Sequence, residues 1–163
     1  MPDEEVVTWR VDGRDVTVSN PGRVIWPAAG LTKADLAGYY REVAPVMAPY
    51  LVDRPLTLRV FPDDVAGTGF YLRDRPAGAP DWLRCLHYRP ETRAGERCVP
   101  LVDDAAGLLW YADRGGVEVH LWPSTARALD RPDWAIFDLD PGPDVGFERV
   151  LEVALLVHDE LAH

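Results

Sequence analysis

Two aspartates one residue apart, Asp138 and Asp140, close the run Trp134-Ala-Ile-Phe-Asp-Leu-Asp-Pro-Gly142. Read as a strand, the run alternates its side chains: Ile136, Asp138 and Asp140 share one face, and Ala135, Phe137 and Leu139 share the other. Two residues of strand rise set the carboxylates roughly 6.5–7 Å apart at the backbone, where both can lean onto one hard cation or a pair of them. Two charges at the end of a buried strand are costly unless something positive sits there. The segment is therefore read as a Mg²⁺ or Mn²⁺ site. The competing reading is a plain strand end and turn, where Asp, Pro and Gly are common in any case. The rest of the chain has to decide between them.

Three further places carry chemistry. Lys33, the only lysine, falls in the first turn of a helix opened by Thr32. Free backbone N–H groups at a helix start, with a lysine beside them, suit an anion and above all a phosphate. The bland alternative is a solvated surface lysine, since a cation there opposes the helix dipole. Phe70 and Tyr71, followed by Arg73, could stack on nucleic-acid bases, although adjacent aromatics more often split between core and surface. His120 lies on the alternating run Val117-Glu-Val-His-Leu-Trp122. It gains meaning if that strand shares a sheet with the aspartate strand.

The elements that must position these groups follow from periodicity and turn chemistry. Residues 6–18 hold two near-alternating runs around Asp12-Gly13, a hairpin signal. Residues 19–27 read as a loop. Thr32 with Asp35 forms a near capping box, and Leu36, Tyr39, Tyr40, Val43 and Met47 make the helical stripe, with Pro45 and Pro49 arguing against helix in its second half. Residues 54–61 read as a strand. Residues 83–88 and 98–102 flank a polar turn and form a second hairpin. Asp103 or Asp104 caps a helix through Tyr111 that closes at Gly115-Gly116. Residues 147–161 carry a last helical stripe.

Composition bounds the rest. A chain of 163 residues with 47% hydrophobic and 27% charged residues fits one soluble globular domain. With the helices and strands read above, the fold is taken as α/β, a mixed sheet with helices. No apolar run approaches a membrane span and the acidic start is no signal peptide, so a cytoplasmic location is expected. A net charge of −10 excludes broad electrostatic binding of nucleic acid but leaves room for a local basic site. Cys85 and Cys98 lack Cys-x-x-Cys spacing and read as reduced thiols rather than a zinc site, with a hairpin disulfide as the alternative.

Seven collinear pieces carry a resemblance over nearly the whole chain: Asn20-Pro-Gly-Arg-Val-Ile-Trp-Pro27, Gly30-Leu-Thr-Lys-Ala-Asp35, Arg54-Pro-Leu-Thr57, Gly69-Phe-Tyr71, Asp104-Ala-Ala-Gly-Leu-Leu-Trp110, Glu118-Val-His-Leu-Trp-Pro-Ser124 and Phe137-Asp-Leu-Asp-Pro-Gly142. Together they resemble the polymerase domain of bacterial DNA ligase D, in the archaeo-eukaryotic primase superfamily. The resemblance implies a primase-polymerase-like fold, itself of that α/β class, and metal-dependent nucleotidyl transfer to DNA 3′ ends during end-joining repair. Asp138 and Asp140 match its first two metal ligands, serving two Mn²⁺ or Mg²⁺ ions, and His120 matches a histidine at that catalytic site. Asn20, Arg23 and Lys33 match contacts to a DNA 5′-phosphate, with Arg23 standing where the family often has lysine. Phe70 and Tyr71 match an aromatic pair that stacks at the template.

The implied partners are DNA with gaps, recessed ends or double-strand breaks, nucleoside triphosphates, and a ligase or end-binding protein at the nucleoid. The family's triphosphate segment and third metal-binding aspartate have no counterpart after Gly142. Residues 1–163 are therefore expected to form the N-terminal part of such a domain, incomplete and inactive alone. Two other functions compete: a noncatalytic module for 5′-phosphorylated DNA ends, and a metal-dependent phosphohydrolase with Asp-x-Asp closing an apolar strand.

Overall fold

The computed structural model describes residues 5–90 and 95–162. It divides into two units, Met1–Asp133 and Trp134–His163, each described by itself.

The first unit opens with a hairpin of β1 (Val6–Val11) and β2 (Arg14–Ser19). Asp12 and Gly13 have φ of 49° and 74°, the left-handed pair that a two-residue hairpin needs to follow strand twist. The expected loop then contains a short ladder of β3 (Val24–Trp26) on β4 (Leu31–Thr32). Thr32 caps α1 (Lys33–Leu51) through a full capping box: Asp35 N–H donates to Thr32 Oγ1 at 3.3 Å, and Thr32 N–H donates to Asp35 Oδ2 at 2.7 Å. The helix runs on through Pro45 and Pro49, contrary to the expectation that they would end it. Both prolines are exposed, so the carbonyls they leave without a donor face water.

Next come β5 (Leu56–Val60), β6 (Phe70–Leu72), and the predicted hairpin of β7 (Cys85–Tyr88) and β8 (Arg97–Pro100). Cys85 and Cys98 are joined across this hairpin with Cα atoms 5.3 Å apart, which corrects the reduced-thiol reading. The register explains it: Cys98 pairs with His87, two residues from Cys85, within reach of a disulfide. Asp104 then caps α2 (Ala105–Asp113), accepting from Gly107 N–H at 2.9 Å. Gly115, at φ 76°, turns the chain into β9 (Gly116–Leu121). A Cβ on Gly115 would lie 2.2 Å from the Phe61 carbonyl oxygen, so only glycine fits.

Strands β6, β5 and β9 form one antiparallel sheet in that order. Leu56, Leu58 and Val60 turn inward and pack with Leu36, Ala37 and Tyr40 of α1 and with Leu108, Leu109 and Tyr111 of α2. The Tyr40 hydroxyl donates to the Val117 carbonyl at 2.9 Å, tying α1 to β9. Helices and strands interleave along the chain, as an α/β class requires.

In the second unit, residues 134–142 form neither helix nor strand. The expected aspartate strand is thus absent: no described ladder includes these residues, and a strand is defined by a neighbour that takes its backbone groups. The predicted last helix is present as α3 (Phe147–Leu161). None of its residues is buried, so its apolar stripe has no core to join within the described residues.

Candidate nucleic-acid interface

The outward face of the β6-β5-β9 sheet gathers the polar groups. Register pairs Thr57 with His120, and Arg59 with both Glu118 and Tyr71. Strand alternation therefore puts all five on the face opposite the Leu56, Leu58 and Val60 side chains. Arg59 Nη1 donates to Glu118 Oε1 at 3.0 Å, and the other carboxylate oxygen lies 3.1 Å from His120 Nε2. The Tyr71 ring meets the His120 ring edge-on at 5.8 Å. The guanidinium groups of Arg59 and Arg73 lie 5.9 and 5.3 Å from the Tyr71 ring centre.

Phe70 and Tyr71 are 48% and 47% exposed, so the pair does not split between core and surface. What results is an open shelf with an aromatic face and two arginines, the chemistry that holds a stacked base beside a phosphate backbone. His120 belongs to this shelf through Glu118. Arg73 is named from sequence beside the aromatic pair, whereas Arg59 and Glu118 are given no role there, although the outward alternation of Thr57 and Arg59 in Leu56-Thr-Leu-Arg-Val60 is a usable signal.

The second cluster surrounds the start of α1. Lys33 N–H donates to the Arg23 carbonyl at 2.8 Å and Ala34 N–H to the Pro21 carbonyl at 2.9 Å. With Asp35 N–H taken by Thr32, the first helical donors are already satisfied, which corrects the reading of them as a free anion site. Nor is Lys33 a solvated surface residue. Its ammonium is buried, 2.9 Å from Asp113 Oδ1 and 3.0 Å from Ser19 Oγ. Burial alone would push the Asp113 carboxyl up; Lys33 and the Ser19 N–H outweigh it and hold it below the ordinary carboxylate range.

Asn20 and Arg23 line a shallow hollow with Glu5 and Gly22. Arg23 donates through Nη1 to the Pro62 carbonyl, while its Nε is buried without a hydrogen-bond partner. Asn20, Arg23 and Lys33 are thus neighbours through the loop that wraps the helix start, with Asn20 held at φ 47°.

Asp138 and Asp140 lie in the second unit, both exposed, beside a hollow with Leu139, Val145, Arg149 and Val153. As hard oxygen donors they suit Mg²⁺ or Mn²⁺. They make up two ligands only: among the described residues no group of three metal-ligating side chains contains either aspartate. The phosphohydrolase reading loses its structural basis here, because it needs the aspartates at the end of a strand.

The model of the family described as LigD, primase-polymerase domain, matches residues 32–163. This chain belongs to the LigD primase-polymerase family. It is 36% identical over 155 residues to the multifunctional non-homologous end joining DNA repair protein LigD of Mycobacterium tuberculosis, covering 90% of this chain and 20% of that protein. It is 29% identical over 149 residues to the LigD protein of Pseudomonas aeruginosa, covering 90% and 18%. Among solved structures it matches the polymerase domain of Mycobacterium tuberculosis ligase D in complex with DNA, with a TM-score of 0.77 and 32% identity over 90% of this chain and 53% of that one. The chain thus spans about a fifth of the curated LigD proteins and about half of the solved domain. The family match begins at Thr32, so it takes in Lys33, the sheet face and the aspartate pair, while Asn20 and Arg23 lie before it. No helix among the described residues is long and apolar enough to cross a membrane.

Proposed function

We propose that this chain is the DNA-end-binding front of a LigD-type polymerase module acting in break repair at the nucleoid, and that it corresponds to the N-terminal part of that domain. The observation that carries the reading is the Arg59–Tyr71–Arg73–His120 shelf on a chain whose solved relative holds DNA. Tyr71 takes the stacking role on this shelf, and Phe70, exposed but alternating to the other face of the same strand, is the second ring of the pair. Arg59 and Arg73 supply charge in a protein whose net charge is −10, so binding is local and depends on ends rather than on duplex in general. Arg23 and Asn20 face a DNA 5′-phosphate from the hollow, and Lys33 sets the loop that presents them and adds its charge from behind it.

Asp138 and Asp140 would hold the divalent ions, Mn²⁺ or Mg²⁺, of nucleotidyl transfer. Such ions, when bound, lower the pKa of an attacking hydroxyl and neutralise triphosphate charge. His120, held by Glu118 on the sheet face, is the histidine that the family resemblance assigns to the same reaction. Among the described residues no third metal-ligating side chain joins the aspartate pair, so on this reading the chain by itself binds ends, and nucleotide addition needs a further segment or partner chain with the remaining ligand and the nucleoside triphosphate site. The same incompleteness favours a second reading, a purely noncatalytic end-binding module.

The test is fluorescence anisotropy on a recessed duplex with and without its 5′-phosphate, at moderate salt. Tighter binding of the phosphorylated end supports the proposal, and equal binding of both ends removes the phosphate role. Nucleotide addition with Mn²⁺ after mixing with the remainder of a LigD polymerase domain separates the two readings. Extension supports the polymerase module, whereas end binding without extension leaves the noncatalytic one.

A further inference from the structure

The β7–β8 hairpin carries a cluster that the end-binding reading does not use. Cys85 and His87 alternate to the same face of β7, and the ladder sets Cys98 of β8 opposite His87. The two sulfur atoms and a ring nitrogen of His87 all lie within 4.8 Å of one another. A tetrahedral zinc ion with Zn–S of about 2.3 Å and Zn–N of about 2.0 Å places its ligand atoms roughly 3.5–3.8 Å apart. Side-chain rotation on a fixed ladder reaches that spacing.

Donor type separates this cluster from the aspartate pair. Two thiolates and an imidazole select Zn²⁺, whereas carboxylates alone suit Mg²⁺ or Mn²⁺. His87 Nδ1 lies 2.8 Å from Glu96 Oε1. A carboxylate on one ring nitrogen is the usual outer partner of a metal-bound imidazole; it fixes the ring and leaves Nε2 for the ion. His87 is exposed, so an ion and a water ligand can enter from solvent. Zinc motifs are sought as Cys-x-x-Cys pairs, and Cys85-Leu-His87 with Cys98 across a hairpin does not have that form.

We propose that the reduced hairpin binds one Zn²⁺ through Cys85, His87 and Cys98, and that the disulfide and the zinc site are alternative states of one cysteine pair. Opening the disulfide takes two electrons and two protons from a dithiol reductant, which becomes a disulfide as Cys85 and Cys98 become thiols. Zn²⁺ then displaces the two thiol protons, and water fills the fourth position. Two thiolates neutralise the ion, and in both states a covalent or coordinate link joins β7 to β8.

The experiment titrates the reduced full chain anaerobically with Co²⁺ and then Zn²⁺, following absorbance and cysteine alkylation. One equivalent of Co²⁺ with a thiolate-to-cobalt charge-transfer band, displaced by Zn²⁺, is expected, along with zinc protection of both cysteines. The oxidised chain should bind on the order of 100-fold more weakly, since the ligand must be the thiolate. His87→Ala should weaken binding about 10–100-fold, Cys85→Ser should remove most of the charge-transfer band, and Asp138→Ala should leave the charge-transfer band and the zinc protection of both cysteines unchanged.

A reduced chain that keeps its circular dichroism yet gives no thiolate–cobalt band overturns the proposal. So does binding that His87→Ala leaves intact or that Asp138→Ala abolishes. Should reduction unfold the chain, recovery of the spectrum with Zn²⁺ but not Mg²⁺ supports the site, and failure of Zn²⁺ to restore it overturns it.

Discussion

Lys33 Nζ lies 2.9 Å from Asp113 Oδ1, so the first residue of α1 is pinned to the last residue of α2, with Ser19 of β2 donating its N–H to the same oxygen at 2.7 Å. The loop that presents Asn20 and Arg23 leaves β2 at this junction. Lys33 therefore has two separable roles, as a structural cation beneath the loop and as a charge toward a phosphate. Lys33→Met should cost about 3 kcal/mol of stability by stranding Asp113, as loss of one partner of a buried pair does. Adding Asp113→Asn should recover most of that, because the amide oxygen still accepts from Ser19. The double variant should nevertheless lack the preference for a 5′-phosphate. Urea melts and anisotropy on the same samples check both; a double variant with normal phosphate preference confines Lys33 to structure.

The same pair sets an acid limit. The folded-state pKa of Asp113 is lowered, so its contribution is present above the unfolded value of about 3.9 and is lost as pH falls through the folded value. Asp113→Asn should therefore be less stable than the parent at neutral pH by about 2 kcal/mol. The gap should close as the pH drops below about 4. Thermal melts from neutral to acid pH read this, and a gap that stays constant assigns the effect to packing rather than charge.

How much was legible depended on the reach of each cause. The start of α1 was readable because Thr32 and Asp35 are both halves of its cap and lie within one turn. Asp12-Gly13 was readable because two adjacent residues alone decide the turn. The Arg59–Glu118 pair joins residues 59 apart, through a strand pairing that no periodicity specifies. The burial of Lys33 was hidden for the same reason, since it depends on α2 arriving beside α1. The aspartate segment misled in the opposite direction. Its apolar run resembled a buried strand, yet Ile136 and Phe137 are 63% and 54% exposed, because alternation describes a strand's faces and says nothing of a neighbour. The cysteine pair reads first as thiols, with the hairpin disulfide as the alternative, because the spacing rule follows sequence distance, whereas the hairpin register brings the sulfurs together.

Tyr71 should carry more of the affinity for an unpaired template than its own size suggests, because Arg59, Arg73 and His120 lie 5.9, 5.3 and 5.8 Å from its ring centre. Tyr71→Ala should cost about 1–3 kcal/mol in binding a recessed end with a single-stranded overhang. Tyr71→Phe should cost little, since the stacking face remains. Arg59→Ala should weaken binding and also reduce its salt dependence by about one unit of slope if the guanidinium meets a phosphate. An unchanged slope would leave Arg59 as the partner of Glu118 and nothing more. Anisotropy at several salt concentrations measures all three.

Asp138 and Asp140 are exposed and lie in a segment without ladder support, so substituting them should leave the fold of the first unit untouched. Asp138→Ala and Asp140→Ala should each reduce Mn²⁺ affinity while melting temperature and binding to 5′-phosphorylated ends stay at parental values. The parent itself should bind Mn²⁺ weakly, as a hard cation held by few protein oxygens does. Calorimetry gives the metal affinity, and anisotropy in EDTA gives the end binding without it. Mn²⁺ affinity unchanged in both variants would remove the metal site. End binding that falls with either substitution would place the aspartates in DNA contact, which their charge opposes. Separation of the two readouts is the result that ties metal and end recognition to different units of the chain.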